Sequence, residues 1–213
     1  MLARPGSTRF ASIVSLIDGT VTCYLADVSG HGIAAGVLMS MVKSAVRTAA
    51  SQGVTLVELM QRLNTVLMDL KAPSMYATLA FLRFVGSDHL EYSLAGHPPV
   101  LHYHCSTHSV SPLKMEQLPI ALFGTANFES RTIAIEPGDL LVTVSDGLLD
   151  VANRQGQEFG WEQIERLVLE NAAEPLSFIV EKVIDEAARF GVQEDDRSLL
   201  LVRVPPREQP LHS

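Results

Sequence analysis

Cysteine, positive charge and long apolar runs are all scarce in this sequence, and each scarcity excludes a class of protein. Only Cys23 and Cys105 occur among the 213 residues, too few and too far apart for a disulfide framework or a zinc-finger pattern. No run of 18 apolar residues suggests a membrane span, and the N-terminus lacks the continuous apolar segment of a secretory signal. We therefore predict a soluble, cytoplasmic protein that does not insert into a membrane.

Basic residues are outnumbered, with 16 Lys and Arg against 24 Asp and Glu and a net charge of −8. Because binding to nucleic acid phosphates depends on basic residues, nucleic acid is not expected as a partner. Hydrophobic residues make up 47% of the chain and charged residues 19%, which is a globular composition. We predict one domain over residues 1–204, followed by a solvated tail over residues 205–213.

The first notable feature is an acidic turn around Asp27. The preceding residues 21–25 read as a β-strand, and residues 33–50 read as an apolar helix. Gly30 and Gly32 supply backbone freedom for a sharp turn between them. A carboxylate beside such a turn is suited to a hard cation or a phosphate, although an Asx-turn that caps the helix would show the same pattern.

Two further acidic turns occur far along the chain. The apolar strand 140–144 ends beside Asp146, and Asp195 and Asp196 precede another apolar strand at 199–204. Acidic turns so widely separated in sequence meet only if the fold brings them together. Mg²⁺ and Mn²⁺ sites need that convergence, because these ions are bound by a few carboxylates and waters.

Several short motifs follow one another in a recognisable order. They are Asp-Val-Ser-Gly-His-Gly at 27–32, Ala-Gly-His-Pro-Pro at 95–99, Glu-Pro-Gly-Asp at 136–139, Ser-Asp-Gly at 145–147 and Asp-Asp-Arg-Ser at 195–198. Together they resemble the SpoIIE/RsbU-type branch of the PP2C-like (PPM) serine/threonine phosphatases, over about residues 21–204. The resemblance implies an α+β fold, an α-β-β-α sandwich of two antiparallel sheets flanked by helix pairs.

The same resemblance implies a metal-dependent phosphatase with two Mn²⁺ or Mg²⁺ ions. Asp27 would bridge the ions with help from the Val28 backbone carbonyl, while Asp146 and Asp195 would complete one of them and Asp196 would lie beside it. Divalent ions neutralise a phosphate monoester and lower the pKa of a bound water, so no protein nucleophile is required. For Asp195 and Asp196, a charged turn before an edge strand is the alternative interpretation.

Other residues are expected around these ligands. His31 is the candidate catalytic proton donor to the leaving serine oxygen, or else a turn residue that hydrogen-bonds the backbone. Gly30, Gly147 and Asp150 are expected next to the ligands, with a solvated helix face as the alternative for Asp150. His97 is interpreted as structural, anchoring a loop.

The sequence departs from the family near its start. Members of this branch usually carry Gly-Gly-Asp and a further Asp on the first strand, and counting back from the Asp18-Gly19 hairpin signal places Ser7-Thr8-Arg9 and Ser12 there. The missing acids predict reduced activity. They also support a rival hypothesis, in which the chain is a catalytically impaired pseudophosphatase that acts as a protein-binding regulatory module.

One histidine-rich segment could bind zinc. His102, His104, Cys105 and His108 lie within seven positions, but a strand places His102 and His104 on one face and Cys105 on the other. The alternation therefore disfavours zinc. Cys23, within the apolar strand before Asp27, is interpreted as a small buried hydrophobe.

Periodicity also predicts about eight strands and two helix pairs. The predicted strands are 10–16, 20–25, 76–85, 89–95, 100–104, 132–135, 140–144 and 199–204, and the predicted helices are 33–50, 55–70, 161–172 and 176–189. Thr55 and Glu58 form a predicted capping box. Residues 117–124 are a predicted loop.

The resemblance also suggests a partner. It implies a phosphorylated anti-anti-sigma (STAS-like) protein of a bacterial partner-switching pathway as the substrate. The helix pair 33–70 would be regulatory and would offer a homodimer surface. Because no sensor or receiver segment is recognised, we expect the chain to be the output module of a longer protein.

Overall fold

The computed structural model describes residues 9–15, 20–50, 52–71, 74–192 and 197–206, with backbone only for 9–15 and 50. The described strands are β1 (Arg9–Ser15), β2 (Val21–Val28), β3 (Ala77–Val85), β4 (His89–Ala95), β5 (Val100–His104), β6 (Ser109–Leu113), β7 (Arg131–Ala134), β8 (Leu140–Val144) and β9 (Leu199–Arg203). The described helices are α1 (Gly32–Ala50), α2 (Leu56–Leu70), α3 (Asp146–Leu149), α4 (Gly160–Asn171) and α5 (Leu176–Phe190). None of these helices is long and apolar enough to cross a membrane.

The strands form two antiparallel sheets. One has the order β1-β2-β3-β4-β7 and the other the order β6-β5-β8-β9. Leu82 and Leu141, one from each sheet, belong to the same buried cluster, so the two sheets pack face to face.

The outer face of each sheet is covered by a helix pair. Leu38 of α1 and Leu63 of α2 pack with Phe81 of the five-stranded sheet, and Val168 of α4 and Ile179 of α5 pack with the four-stranded sheet. The three apolar interfaces separate four layers, which confirms the predicted α-β-β-α sandwich and its PP2C-like class.

Helix α2 begins with the predicted capping box of Thr55 and Glu58. The Glu58 backbone N–H donates to Thr55 Oγ1 at 3.2 Å, and the Thr55 backbone N–H donates to Glu58 Oε2 at 3.1 Å. The Thr55 backbone N–H and the Thr55 hydroxyl both donate to the Glu58 carboxylate and lower its pKa. The box satisfies two of the N–H groups that a helix start leaves without a helical partner.

The strand that carries Asp27 is longer than predicted. The pattern indicates a strand ending at Leu25, but β2 continues to Val28, and Asp27 pairs with Thr78 of β3. On the other side of β2, Arg9 of β1 is the register partner of Asp27. The predicted Asp18-Gly19 turn lies outside the described residues, although the strands it would join are antiparallel.

Strand β6 is absent from the prediction, which makes nine described strands rather than about eight. It is an edge strand of its sheet, contains Pro112, and exposes residues such as Ser109. Edge strands commonly carry polar residues and proline because one side of the backbone needs no partner. The apolar alternation used for prediction is therefore weak in β6.

A buried histidine and aspartate tie β5 to the start of β8. His102 Nε2 lies 2.8 Å from Asp139 Oδ2, and both residues are 2% exposed. Burial lowers the pKa of His102 against the opposing effect of the Asp139 hydrogen bond. Burial alone would raise the pKa of Asp139, but N–H donation from Cys105 and Glu136, together with His102, lowers it overall.

Candidate active site

A cavity of about 290 Å³ opens where strands of both sheets end. Antiparallel pairing places the end of β2, the start of β3 and the end of β4 at one edge of the first sheet. The end of β8 comes to the same place from the second sheet. The cavity is lined by Asp27, Thr78, Gly96, His97, Pro98, Ser145 and Asp146.

Asp27 is held by the turn that follows β2. The Ser29 backbone N–H donates to the Tyr76 carbonyl at 2.9 Å, and the Tyr76 backbone N–H donates to Ser29 Oγ at 2.8 Å. Gly30 has φ +89°, a backbone conformation that L side chains rarely adopt. The turn thus fixes the end of β2 and leaves Asp27 half-buried at the cavity.

Asp146 is held by the pairing of β8 with β9. The Ser145 backbone N–H donates to the Ser198 carbonyl at 3.0 Å, and the Ser198 N–H donates to Ser145 Oγ at 3.0 Å. Asp146 is exposed and begins the short helix α3, where its Oδ1 accepts from the Gly147 N–H at 2.8 Å. The chain therefore enters β9 beside Asp146. Asp195 and Asp196, which precede Ser198 by three and two positions, lie outside the described residues.

His97 lines the same cavity as the two carboxylates, a location that the sequence interpretation did not assign to it. It is 7% exposed, and its Nδ1 lies 2.9 Å from the Pro98 carbonyl. Gly96 precedes it with φ +60°, and a Cβ at that position would overlap Pro119. The segment 117–124 therefore braces the His97 turn. In the sequence, the Gly-His-Pro-Pro motif was the signal that could have marked His97 as a candidate site residue.

The remaining predicted site residues lie around this cavity but not in its lining. Val28 is buried and pairs with Ala77, and Gly147 is buried directly after Asp146. His31 and Gly30 are exposed in the turn after β2. Asp150 is exposed at the end of α3, where its N–H donates to the Asp146 carbonyl at 2.8 Å. The roles given to these residues remain predictions.

The donor set of the cavity suits a hard divalent cation. Two carboxylates from different sheets face one space, and its described lining contains hydroxyls but no Lys or Arg. Carboxylate and water oxygens are the ligands that Mg²⁺ and Mn²⁺ prefer. Since a water occupies about 30 Å³, the cavity has room for ions that keep several waters.

The fold and this paired-carboxylate cavity define a PP2C-like phosphatase-type domain. The chain belongs to the stage II sporulation protein E (SpoIIE) family, whose model matches residues 17–205.

A curated relative supports this family assignment. The chain is 24% identical over 187 residues to the phosphoserine phosphatase RsbU of Bacillus subtilis strain 168, a match that covers 86% of this chain and 56% of RsbU. The chain thus spans a little over half the length of this curated relative.

Solved structures share the fold. The RsbU and RsbW domains of a Mycobacterium tuberculosis protein match with a TM-score of 0.80 at 24% identity, covering 98% of this chain and 58% of that one. The SiaA-PP2C domain of Pseudomonas aeruginosa matches with a TM-score of 0.78 at 16% identity, covering 93% and 81% of the two chains.

Proposed function

We propose that this chain is a metal-dependent protein serine/threonine phosphatase. The observation that carries the proposal is the meeting of Asp27 and Asp146, 119 positions apart in sequence (146 − 27), in the lining of one cavity. Membership of the SpoIIE family supports it, as does the name phosphoserine phosphatase that the relative RsbU carries.

Asp27, the Val28 carbonyl, Asp146, Asp195 and Asp196 are the residues that would hold two Mn²⁺ or Mg²⁺ ions. Such ions, when bound, neutralise the charge of a phosphate monoester and lower the pKa of a coordinated water. The chain contributes by holding the carboxylates at fixed strand ends. This pre-organisation avoids reordering the ligands at each turnover.

A histidine would assist departure of the serine oxygen. His31 is the proposed proton donor, because it is exposed in the turn that holds Asp27. His97, buried in the cavity lining beside the Pro98 carbonyl, is proposed to shape the cavity wall.

The proposed substrate is phosphoserine or phosphothreonine on a regulatory protein of the STAS-like anti-anti-sigma class, in partner-switching signalling in the bacterial cytoplasm. Support comes from the family and from the relative RsbU. A homodimer through residues 33–70 is a further proposal. It is supported by Ile33 and Val37, which are 88% and 54% exposed on α1 although both are apolar.

The second candidate function is a pseudophosphatase that binds a phosphoprotein without turnover. The observation in its favour is Arg9, a basic residue at the register position directly across from Asp27, where the family usually carries an acid. A positive charge near that position disfavours a divalent cation.

Release of inorganic phosphate from a phosphoserine peptide in Mn²⁺ tests the two candidates against each other. We expect turnover that EDTA abolishes and that falls by at least ~100-fold in Asp27→Asn and in Asp146→Asn. Asp185→Asn is the matched control, because Asp185 is an exposed carboxylate on α5, outside both the cavity lining and the helix pair 33–70. Absence of turnover in the wild type, together with retained binding of the phosphopeptide, would replace the enzyme with the binding module.

A further inference from the structure

A second group of metal-type ligands lies at the opposite end of β8 from the cavity. One ligand atom from each of His102, His104 and Asp139 lies within 4.8 Å of the others. Asp139 precedes β8 and Asp146 follows it. Seven residue steps of about 3.3 Å each separate the two carboxylates by roughly 20 Å, so the two sites cannot share an ion.

Strand geometry explains how the group assembles. His102 and His104 are two residues apart on β5 and therefore share a face, and their ring centroids are 4.0 Å apart. Pairing of His102 with Leu141 of β8 brings Asp139 to the same face. The sequence interpretation set zinc aside because Cys105 faces the other way. The structure supplies Asp139 in place of Cys105.

The polar contacts of the group hold two of its members in position. Asp139 Oδ1 accepts from the Cys105 backbone N–H at 2.9 Å, while its Oδ2 accepts from the Glu136 backbone N–H at 2.9 Å and lies 2.8 Å from His102 Nε2. Metal-binding residues in proteins are commonly oriented by such hydrogen bonds. Asp139 thus has a carboxylate fixed by backbone donors.

His104 is the member of the group that solvent reaches. It is only partly buried, and its Nε2 lies 2.8 Å from Ser111 Oγ on the edge strand β6. A tetrahedral zinc ion with bonds of about 2.0–2.2 Å requires its ligand atoms to be roughly 3.4 Å apart. The ligand atoms are now up to 4.8 Å apart. Rotation of the His104 side chain, which solvent already reaches, would bring them to the required separation.

We propose that His102, His104 and Asp139 form a binding site for Zn²⁺ or a similar first-row transition-metal ion, with water in the fourth position. Imidazole ligands select zinc, copper, nickel and iron, whereas Mg²⁺ and Mn²⁺ prefer oxygen ligands. The site is therefore chemically distinct from the carboxylate cavity. A bound ion would cross-link β5 to the start of β8.

Titration of the metal-stripped full chain with Zn²⁺, in saturating Mg²⁺ that occupies the carboxylate cavity, tests the site. Calorimetry is expected to show one Zn²⁺ per chain, and Co²⁺ in its place is expected to give the visible absorption of tetrahedral coordination. His104→Gln should weaken Zn²⁺ binding by at least ~100-fold. His89→Gln should bind as the wild type, because His89 forms an exposed pair with Asp88 at 2.7 Å, and the part of the chain that the structure describes places no third ligand beside them.

A second measurement needs no variant. In the wild-type chain, Zn²⁺ is expected to shift the ring ¹⁵N resonances of His102 and His104 and to leave those of His89 unchanged. Wild-type affinity in His104→Gln, absence of Zn²⁺ binding in Mg²⁺, or unchanged His102 and His104 resonances would each overturn the proposal.

Discussion

Replacing Asn64 with alanine should destabilise the fold by loosening α2 from the segment 117–124. Asn64 is 3% exposed. Its Oδ1 accepts from the Ala121 backbone N–H at 2.8 Å, and its Nδ2 donates to the carbonyls of Phe123 and Gly124 at 3.1 and 3.3 Å. One side chain therefore satisfies three backbone groups of the loop that braces the His97 turn.

The size of the effect follows from which of these groups can reach water. Phe123 and Gly124 are exposed, so water replaces the lost donors to their carbonyls at little cost. Ala121 is fully buried, and its orphaned N–H costs about 1–3 kcal/mol. Alanine has a better helix propensity than asparagine, and this offsets about 0.6 kcal/mol of that cost. The net loss is about 1–2 kcal/mol, which corresponds to a Tm lower by roughly 2–8 °C for a chain of this length.

Urea unfolding of Asn64→Ala and of Gln61→Ala measures this difference. Gln61 is exposed on the same helix, so its replacement should change the free energy of unfolding by less than about 0.5 kcal/mol. The m-value should stay constant in both variants. Equal stability of the two variants would refute the argument that the buried Ala121 N–H governs the cost.

Three further changes have expected outcomes. Thr55→Ala removes the capping box of α2 and should cost about 1 kcal/mol in urea unfolding, whereas an unchanged midpoint would show that the box contributes nothing. His102 has a pKa lowered from 6.5 by burial, so its stability contribution is complete above pH 6.5 and is lost as the pH falls through its folded pKa. With EDTA present, unfolding free energy should fall below pH 6.5 more steeply in the wild type than in His102→Gln, and equal slopes would contradict this. Arg9→Asp replaces a cation with an acid at the register position across from Asp27. Because an acid attracts a divalent ion and a base repels it, calorimetry at low salt should show Mn²⁺ binding tighter by roughly several-fold, and unchanged binding would show that the charge at position 9 does not act on the site.

The architecture was accessible from the sequence because its buried strands and helices have strong periodic patterns. The helix pairs and the capping box at Thr55 were predicted near their observed bounds. Strand β6 was not, because an edge strand with Pro112 has little apolar alternation. The end of β2 was placed too early because Asp27 is polar, yet it is still paired within the sheet.

The candidate site was only partly accessible from the sequence. Strand-end carboxylates predicted that Asp27 and Asp146 would converge, and both line one cavity. The Gly-His-Pro-Pro motif marked His97, but its place in the cavity lining depends on packing against the segment 117–124, which no local pattern reveals. The approach of Asp139 to His102 was equally hidden, because it depends on the pairing of β5 with β8 across 37 positions.

The most direct test of the proposed phosphatase is the rate of phosphate release from a phosphoserine peptide as Mn²⁺ is raised. The convergence of Asp27 and Asp146 predicts a rate that saturates with Mn²⁺ and returns to background when EDTA is added. A rate that stays at background at every Mn²⁺ concentration, with the chain folded, would contradict the proposed activity.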